Sequence, residues 1–294
     1  MNRRQFLKLS LATVIGALMP GTALPLSSPI VSLPHRNRWL SSLEGDEFAF
    51  LALGDMGTGW QCEYDLVALM AQSPAAVYSA ILLLGDLLYP SAKAELLEPN
   101  LVKPFTPLIE RGFRFYPVWG NHDWIEREAQ VVKDFFVAPN YYSFRLGPAQ
   151  FWALNSNNFN PAQASWLEGG LRTSQARWKI VALHHSPYSS GVVHHSNQHL
   201  IQHLCPLLSA YRVDLCLSGH NHLYERTEKI NNVVYITSGG GSASLHKFDD
   251  KVDFPCAKVK SCHHFLRIAG NWSSVLIQAV ERNGQIFDEC VISK

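Results

Sequence analysis

Five times along this chain a short apolar run is closed by a small residue and then by a side chain able to hold a metal or a proton. Phe48 to Leu53 ends in Gly54-Asp55, Ile81 to Leu84 in Gly85-Asp86, and Phe113 to Trp119 in Gly120-Asn121-His122-Asp123. Ile180 to Leu183 ends in His184-His185, and Val213 to Leu217 in Ser218-Gly219-His220-Asn221-His222. Runs of this length bounded by glycine read as buried strands. Each polar group is therefore set at a strand's C-terminal edge, where ligands bind in open α/β sheets.

Helical patterns between these runs favour a layered α/β fold over an all-β one. Leu66, Val67, Leu69 and Met70 make one apolar face, and Asn160-Pro161 reads as an N-cap and first helical position ahead of Trp166, Leu167 and Leu171. A third helix carries Leu200, Ile201, Leu204, Leu207 and Leu208, with a kink expected at Pro206. Two hairpins are expected, Tyr141 to Asn155 turning near Gly147-Pro148 and Val275 to Ile292 turning at Asn283-Gly284.

The first 23 residues read as a targeting segment, with Arg3, Arg4 and Lys8, no acid, an apolar run from Leu9 to Met19, and a small-residue end at Ala23. That run is too short for a hydrocarbon core that needs ~20 residues, so no membrane span is expected after cleavage. Asn2-Arg3-Arg4-Gln5-Phe6-Leu7-Lys8 resembles a twin-arginine export signal, which implies passage through that machinery to a periplasmic or secreted location. Residues 24–44 read as a linker or arm, and 45–294 as one domain.

A net charge of +1 gives no basic stripe for nucleic acid, and none is expected as a partner. The 13 histidines are informative, because all but His35 fall between positions 122 and 264. Of six cysteines, Cys205 and Cys216 read as small buried hydrophobes, while Cys256 and Cys262 flank a short polar loop and are the expected disulfide.

Asp55, Asp86, Tyr89, Asn121, His184, His220 and His222 supply seven donors of metal-ligand type, enough for two four-ligand sites if one carboxylate is shared. The ordered set Gly54-Asp55-x-Gly57, Gly85-Asp86-x-x-Tyr89, Gly120-Asn121-His122-Asp123, Val181-x-x-His184 and Gly219-His220-x-His222 resembles the purple acid phosphatases, within the dinuclear calcineurin-like metallophosphatases. The resemblance covers about residues 47 to 292. It implies a four-layer α-β-β-α sandwich of two mixed sheets flanked by helices. It also implies an acid phosphatase in which Asp55, Asp86, Tyr89 and His222 hold a first metal while Asp86, Asn121, His184 and His220 hold a second.

The donor chemistry agrees with that partition. Two carboxylates and a phenolate are hard anionic oxygens that suit Fe(III), whereas two imidazoles and an amide suit divalent Fe, Zn or Mn. The implied reaction is hydrolysis of a small-molecule phosphate monoester by a metal-activated hydroxide, with the ions orienting the phosphate. Asn121, His122 and His194 are the expected substrate contacts; His122 and one of His194 or His195 are placed to hydrogen-bond phosphate or protonate the leaving alcohol; Asp123 and His185 support them, Asp123 by orienting a histidine. A metallophosphodiesterase, including the cyclic-nucleotide type, is the alternative. Those enzymes show Gly-Asp-x-His where this chain has Gly57 and lack a tyrosine equivalent to Tyr89. An inactive metal-binding protein on the same fold should have lost ligands, and here all seven positions are filled.

Overall fold

The computed structural model describes residues 45–74, 77–124 and 129–294. The targeting segment expected over 1–23 and the linker over 24–44 lie outside the described residues. The strands are β1 (Glu47–Leu53), β2 (Ala80–Leu83), β3 (Arg114–Pro117), β4 (Tyr142–Leu146), β5 (Ala149–Ala153), β6 (Trp178–Ala182) and β7 (Leu215–Ser218). They continue with β8 (Tyr224–Thr227), β9 (Val234–Ser238), β10 (Cys256–Lys260), β11 (His264–Asn271), β12 (Ser274–Glu281) and β13 (Ile286–Ser293). The helices are α1 (Gln61–Ala71), α2 (Ala94–Leu97), α3 (Lys103–Glu110), α4 (Ala129–Phe136), α5 (Pro161–Thr173), α6 (Gln198–His203) and α7 (Cys205–Ala210).

The strands form two mixed sheets, a six-stranded one ordered β13-β12-β11-β1-β2-β3 and a seven-stranded one ordered β10-β8-β9-β7-β6-β5-β4. β1, β2 and β3 are parallel neighbours, with Leu51 opposite Ile81 and Ala80 opposite Arg114. β6 and β7 are parallel in the second sheet, with Ile180 opposite Leu215. All five motif-bearing strands thus send their C-terminal ends to the polar residues that follow them. The period-2 alternation of a strand explains the layering. In β1, Phe48, Phe50 and Ala52 enter the core between the sheets, while Leu51 and Leu53 face the outer helices. Phe50 meets Phe151 edge-on across the sandwich at 5.0 Å between centroids. Leu66 and Met70 of α1 and Phe105 of α3 cover one sheet; Leu167 of α5 and Leu208 of α7 cover the other. The result is the expected helix–sheet–sheet–helix sandwich.

Both hairpins form where expected, as β4–β5 and β12–β13. Asn160 caps α5, its side chain accepting from Gln163 N–H at 3.0 Å. Pro206 does not kink one helix. It stands in the first turn of α7 after a break at Leu204, because a ring without N–H is tolerated there and not in a helix interior. The Cys256–Cys262 disulfide is corrected: all six cysteines are free thiols. Cys256 opens the extended β10 and Cys262 lies past its other end, so the strand between carries the two apart at ~3.3 Å per residue, whereas a disulfide needs Cα atoms within ~7 Å. Among the described residues no helix is long and apolar enough to cross a membrane.

Candidate metal centre

Asp55, Asp86 and His220 follow the ends of β1, β2 and β7 in the left-handed backbone region, at φ of 59°, 53° and 69°. Non-glycine residues there cost of order 1–3 kcal/mol each and persist where surrounding structure fixes them. Here backbone amides do so. His220 N–H donates to Asp55 Oδ2 at 2.8 Å, and His122 N–H donates to Asp86 Oδ1 at 2.9 Å. One oxygen of each carboxylate is thus anchored and the other turned to a common point. The glycines of the motifs allow this approach: a Cβ on Gly219 would lie 2.6 Å from Asp55 Oδ2, and one on Gly120 would overlap Asp86 Oδ1.

At that point Tyr89 Oη lies 3.2 Å from Asp55 Oδ1, 3.0 Å from Asp86 Oδ2 and 3.1 Å from His222 Nε2. His184 Nε2 lies 3.3 Å from Asp86 Oδ2, 3.1 Å from Asn121 Oδ1 and 3.2 Å from His220 Nδ1. Ligand atoms of Asp86, His184 and His220 all fall within 4.8 Å of one another. The histidines are aimed by their far nitrogens, His184 Nδ1–H donating to Leu84 O at 2.8 Å and His222 Nδ1–H to Ser244 O at 2.7 Å. Both therefore present a lone pair on Nε2 to the cluster, as imidazole ligands do.

The donor set fits cations. A single phenol proton cannot serve two carboxylates and an imidazole at once, and Asp55, Asp86 and His184 are fully or almost fully buried. Burial alone would raise Asp86, but the charge and hydrogen bond of His184 overcome it and hold the carboxyl below its usual range. Burial, then the Asp55 and Asp86 charges, pushes the Tyr89 phenol up. Burial and the charge of His184 push His220 down. The buried carboxylates that resist a phenolate carry a negative charge that a multivalent cation would neutralise.

All seven expected ligands meet in this cluster. His122 is beside it, Nδ1 donating to Pro90 O at 2.6 Å and Nε2 lying 4.0 Å from Asp86 Oδ2. His194 stacks on His220 at 3.9 Å between centroids, while the adjacent His195 is exposed. The ring of His185 packs on His220 at 4.4 Å with Nδ1 bonded to Ser156 Oγ at 2.8 Å. Asp123 is a correction: it does not orient a histidine but accepts Leu87 N–H at 2.8 Å and Gly120 N–H at 2.9 Å, tying two strand-end loops together. Burial and the Asp86 charge raise its pKa.

Two further residues support the cluster. Glu63 in α1 is fully buried and accepts the N–H groups of Gly57, Thr58 and Gly59 at 2.8–3.0 Å, holding the loop after Asp55; burial lifts its pKa to about 7 against those bonds. His246 stacks on His222 at 4.0 Å.

Residues 48–224 match the calcineurin-like phosphoesterase family. The chain belongs to that family, and its reaction class is hydrolysis of phosphoric ester bonds. Among curated proteins it is similar to purple acid phosphatase 17 of Arabidopsis thaliana, 27% identical over 254 residues that span 72% of this chain and 74% of that one. The Fe(3+)-Zn(2+) purple acid phosphatase 12 of the same plant is 28% identical over 183 residues, 53% of this chain and 39% of its own. Among solved structures the fold matches a purple acid phosphatase from yellow lupin seeds with a TM-score of 0.77 at 19% identity, covering 85% of this chain and 54% of that chain.

Proposed function

We propose that this protein is an exported acid phosphatase that hydrolyses phosphate monoesters at a dinuclear centre. The observation that carries the reading is Tyr89 Oη among Asp55, Asp86 and His222, a phenol placed where it can be the third anionic oxygen of a first site. Fe(III) suits that site, and divalent Fe, Zn or Mn suits Asp86, Asn121, His184 and His220. The iron and zinc for which the Arabidopsis purple acid phosphatase 12 is named point the same way.

When bound, two cations supply Lewis-acid polarisation of the phosphoryl group and acidify water. The chain's own side chains do the rest. Asn121 offers its amide to the phosphate beside His184, and His194 lies over His220 on the same side. His122 is fixed by Pro90 O through Nδ1, which leaves Nε2 to donate a proton to the leaving alcohol.

Arg3 and Arg4 ahead of Gln5-Phe6-Leu7 support export of the folded protein by the twin-arginine machinery to the periplasm or medium. Changing both to lysine preserves charge and should leave precursor in the cytoplasm; unchanged export would assign the ordinary secretory route. For the reaction, metal-analysed protein is assayed on an aryl phosphomonoester and a bis-aryl phosphodiester. The monoester should turn over faster, and Asn121→Ala and His220→Ala should each cost at least about two orders of magnitude, ~2.7 kcal/mol of barrier. Preference for the diester would favour the phosphodiesterase alternative, and full turnover by both variants would remove the site assignment.

A further inference from the structure

Besides the partly buried His185, three rings that are not among the expected ligands each pack on one that is. His194 lies on His220 at 3.9 Å and 27°, His122 on Tyr89 at 4.6 Å and 44°, and His246 on His222 at 4.0 Å and 18°. His246 and His194 are themselves neighbours at 5.4 Å, so these rings line one continuous wall. We propose that His246 is a substrate-binding residue that donates Nε2–H to a phosphoryl oxygen, doing at His222 what His194 does at His220; this rests on the phosphatase reading above.

The tautomer follows from its hydrogen bonds. The main-chain N–H of His222 can only donate, and it reaches His246 Nδ1 at 3.2 Å, so Nδ1 carries the lone pair and the neutral ring's proton is on Nε2. That N–H has no protein partner among the described residues, and the ring is half-buried. Its backbone is held on three sides. His246 N–H donates to His222 O at 3.0 Å, Ser261 Oγ–H donates to His246 O at 2.7 Å, and Val192 N–H donates to Lys247 O at 3.1 Å. The last of these ties the loop to the one carrying His194. A donor held this firmly beside a cationic centre fits a tetrahedral dianion, and one hydrogen bond to a charged group corresponds to a change of about tenfold or more in affinity.

The test compares metal-loaded wild type with His246→Phe, which keeps a stacking ring without a donor, and His246→Gln, which keeps a donor near Nε2 without a ring. Metal per chain is measured by mass spectrometry, binding of inorganic phosphate by calorimetry, and KM and kcat on an aryl monoester. Metal content should be unchanged throughout. The phosphate Kd and the KM should rise about tenfold in His246→Phe and return to within about threefold in His246→Gln. Wild-type phosphate binding in His246→Phe, or loss of metal from it, would overturn the proposal in favour of a stacking role. A metal-loaded wild type that neither binds phosphate nor cleaves any phosphate ester would instead overturn the phosphatase reading on which it rests.

Discussion

The two sheets contribute different chemistry to one centre. From the six-stranded sheet come only oxygens: Asp55 after β1, Asp86 and Tyr89 after β2, Asn121 after β3. The seven-stranded sheet gives only imidazoles, His184 after β6 and His220 and His222 after β7. Neither sheet holds a complete ligand set. The centre exists only where the sandwich is assembled, and the contacts that join the sheets are therefore part of the site. The bond from His220 N–H to Asp55 Oδ2 spans 165 residues of sequence and links the two halves directly.

If inter-sheet packing sets the site, weakening it should cost both stability and metal. Phe151 stacks on Phe144 at 4.6 Å and meets Phe50 edge-on from the other sheet. Phe151→Ala should lose about 3–5 kcal/mol in urea unfolding, with metal affinity falling alongside. Intact metal binding at that loss of stability would show that the loops, and not the sandwich, hold the halves together.

A smaller effect is expected at the polar link between the sheets. Arg226 of β8 pairs with Asp288 of β13 at 2.7 and 3.0 Å, and Tyr224 Oη–H donates to the same carboxylate at 2.6 Å. Burial would raise Asp288, but the bonds from Arg226 and Tyr224 overcome it and hold the carboxyl below its usual range. A depressed folded pKa gives stability that is fully present above the unfolded value of ~3.9 and is lost as pH falls through the folded value. Asp288→Asn should therefore cost about 2 kcal/mol near pH 7, where it strands a largely buried guanidinium, and progressively less as pH falls below ~3.9. An equal loss across that range would assign the effect to packing. The least effect belongs to the exposed pair of Arg282 with Asp65, at 2.6 Å and 44% and 33% exposed, which joins the turn after β12 to α1. Arg282→Ala should change unfolding free energy by no more than about 1 kcal/mol.

The sequence exposed the strand ends more clearly than the loops. A buried strand followed by glycine and a ligand leaves a local signal, which is why all seven clustered donors could be named from residue spacing and resemblance. His246 left none. Its place depends on the segment after β9 folding back over His222, a contact between residues 24 apart in a stretch with no periodicity. Glu63 was equally hidden, since a glutamate in the first turn of a helix usually faces solvent and here caps a loop instead. Asp123 was assigned a histidine partner because imidazoles are the conspicuous polar groups nearby. The N–H groups of Leu87 and Gly120, invisible in a sequence, took its carboxylate. The cysteine pairing failed for a related reason: short spacing in sequence is long in space when the intervening residues extend as a strand.

The most direct test of a centre shared between oxygen and nitrogen halves is the absorption spectrum of the iron-loaded protein and of Tyr89→Phe. Tyr89 is the donor that the two-site account makes anionic, and its oxygen touches groups from both sheets. A tyrosinate on Fe(III) should give the oxidised wild type a violet to pink charge-transfer band that Tyr89→Phe abolishes. A colourless wild type carrying two divalent ions, or a band that survives the substitution, would contradict the account.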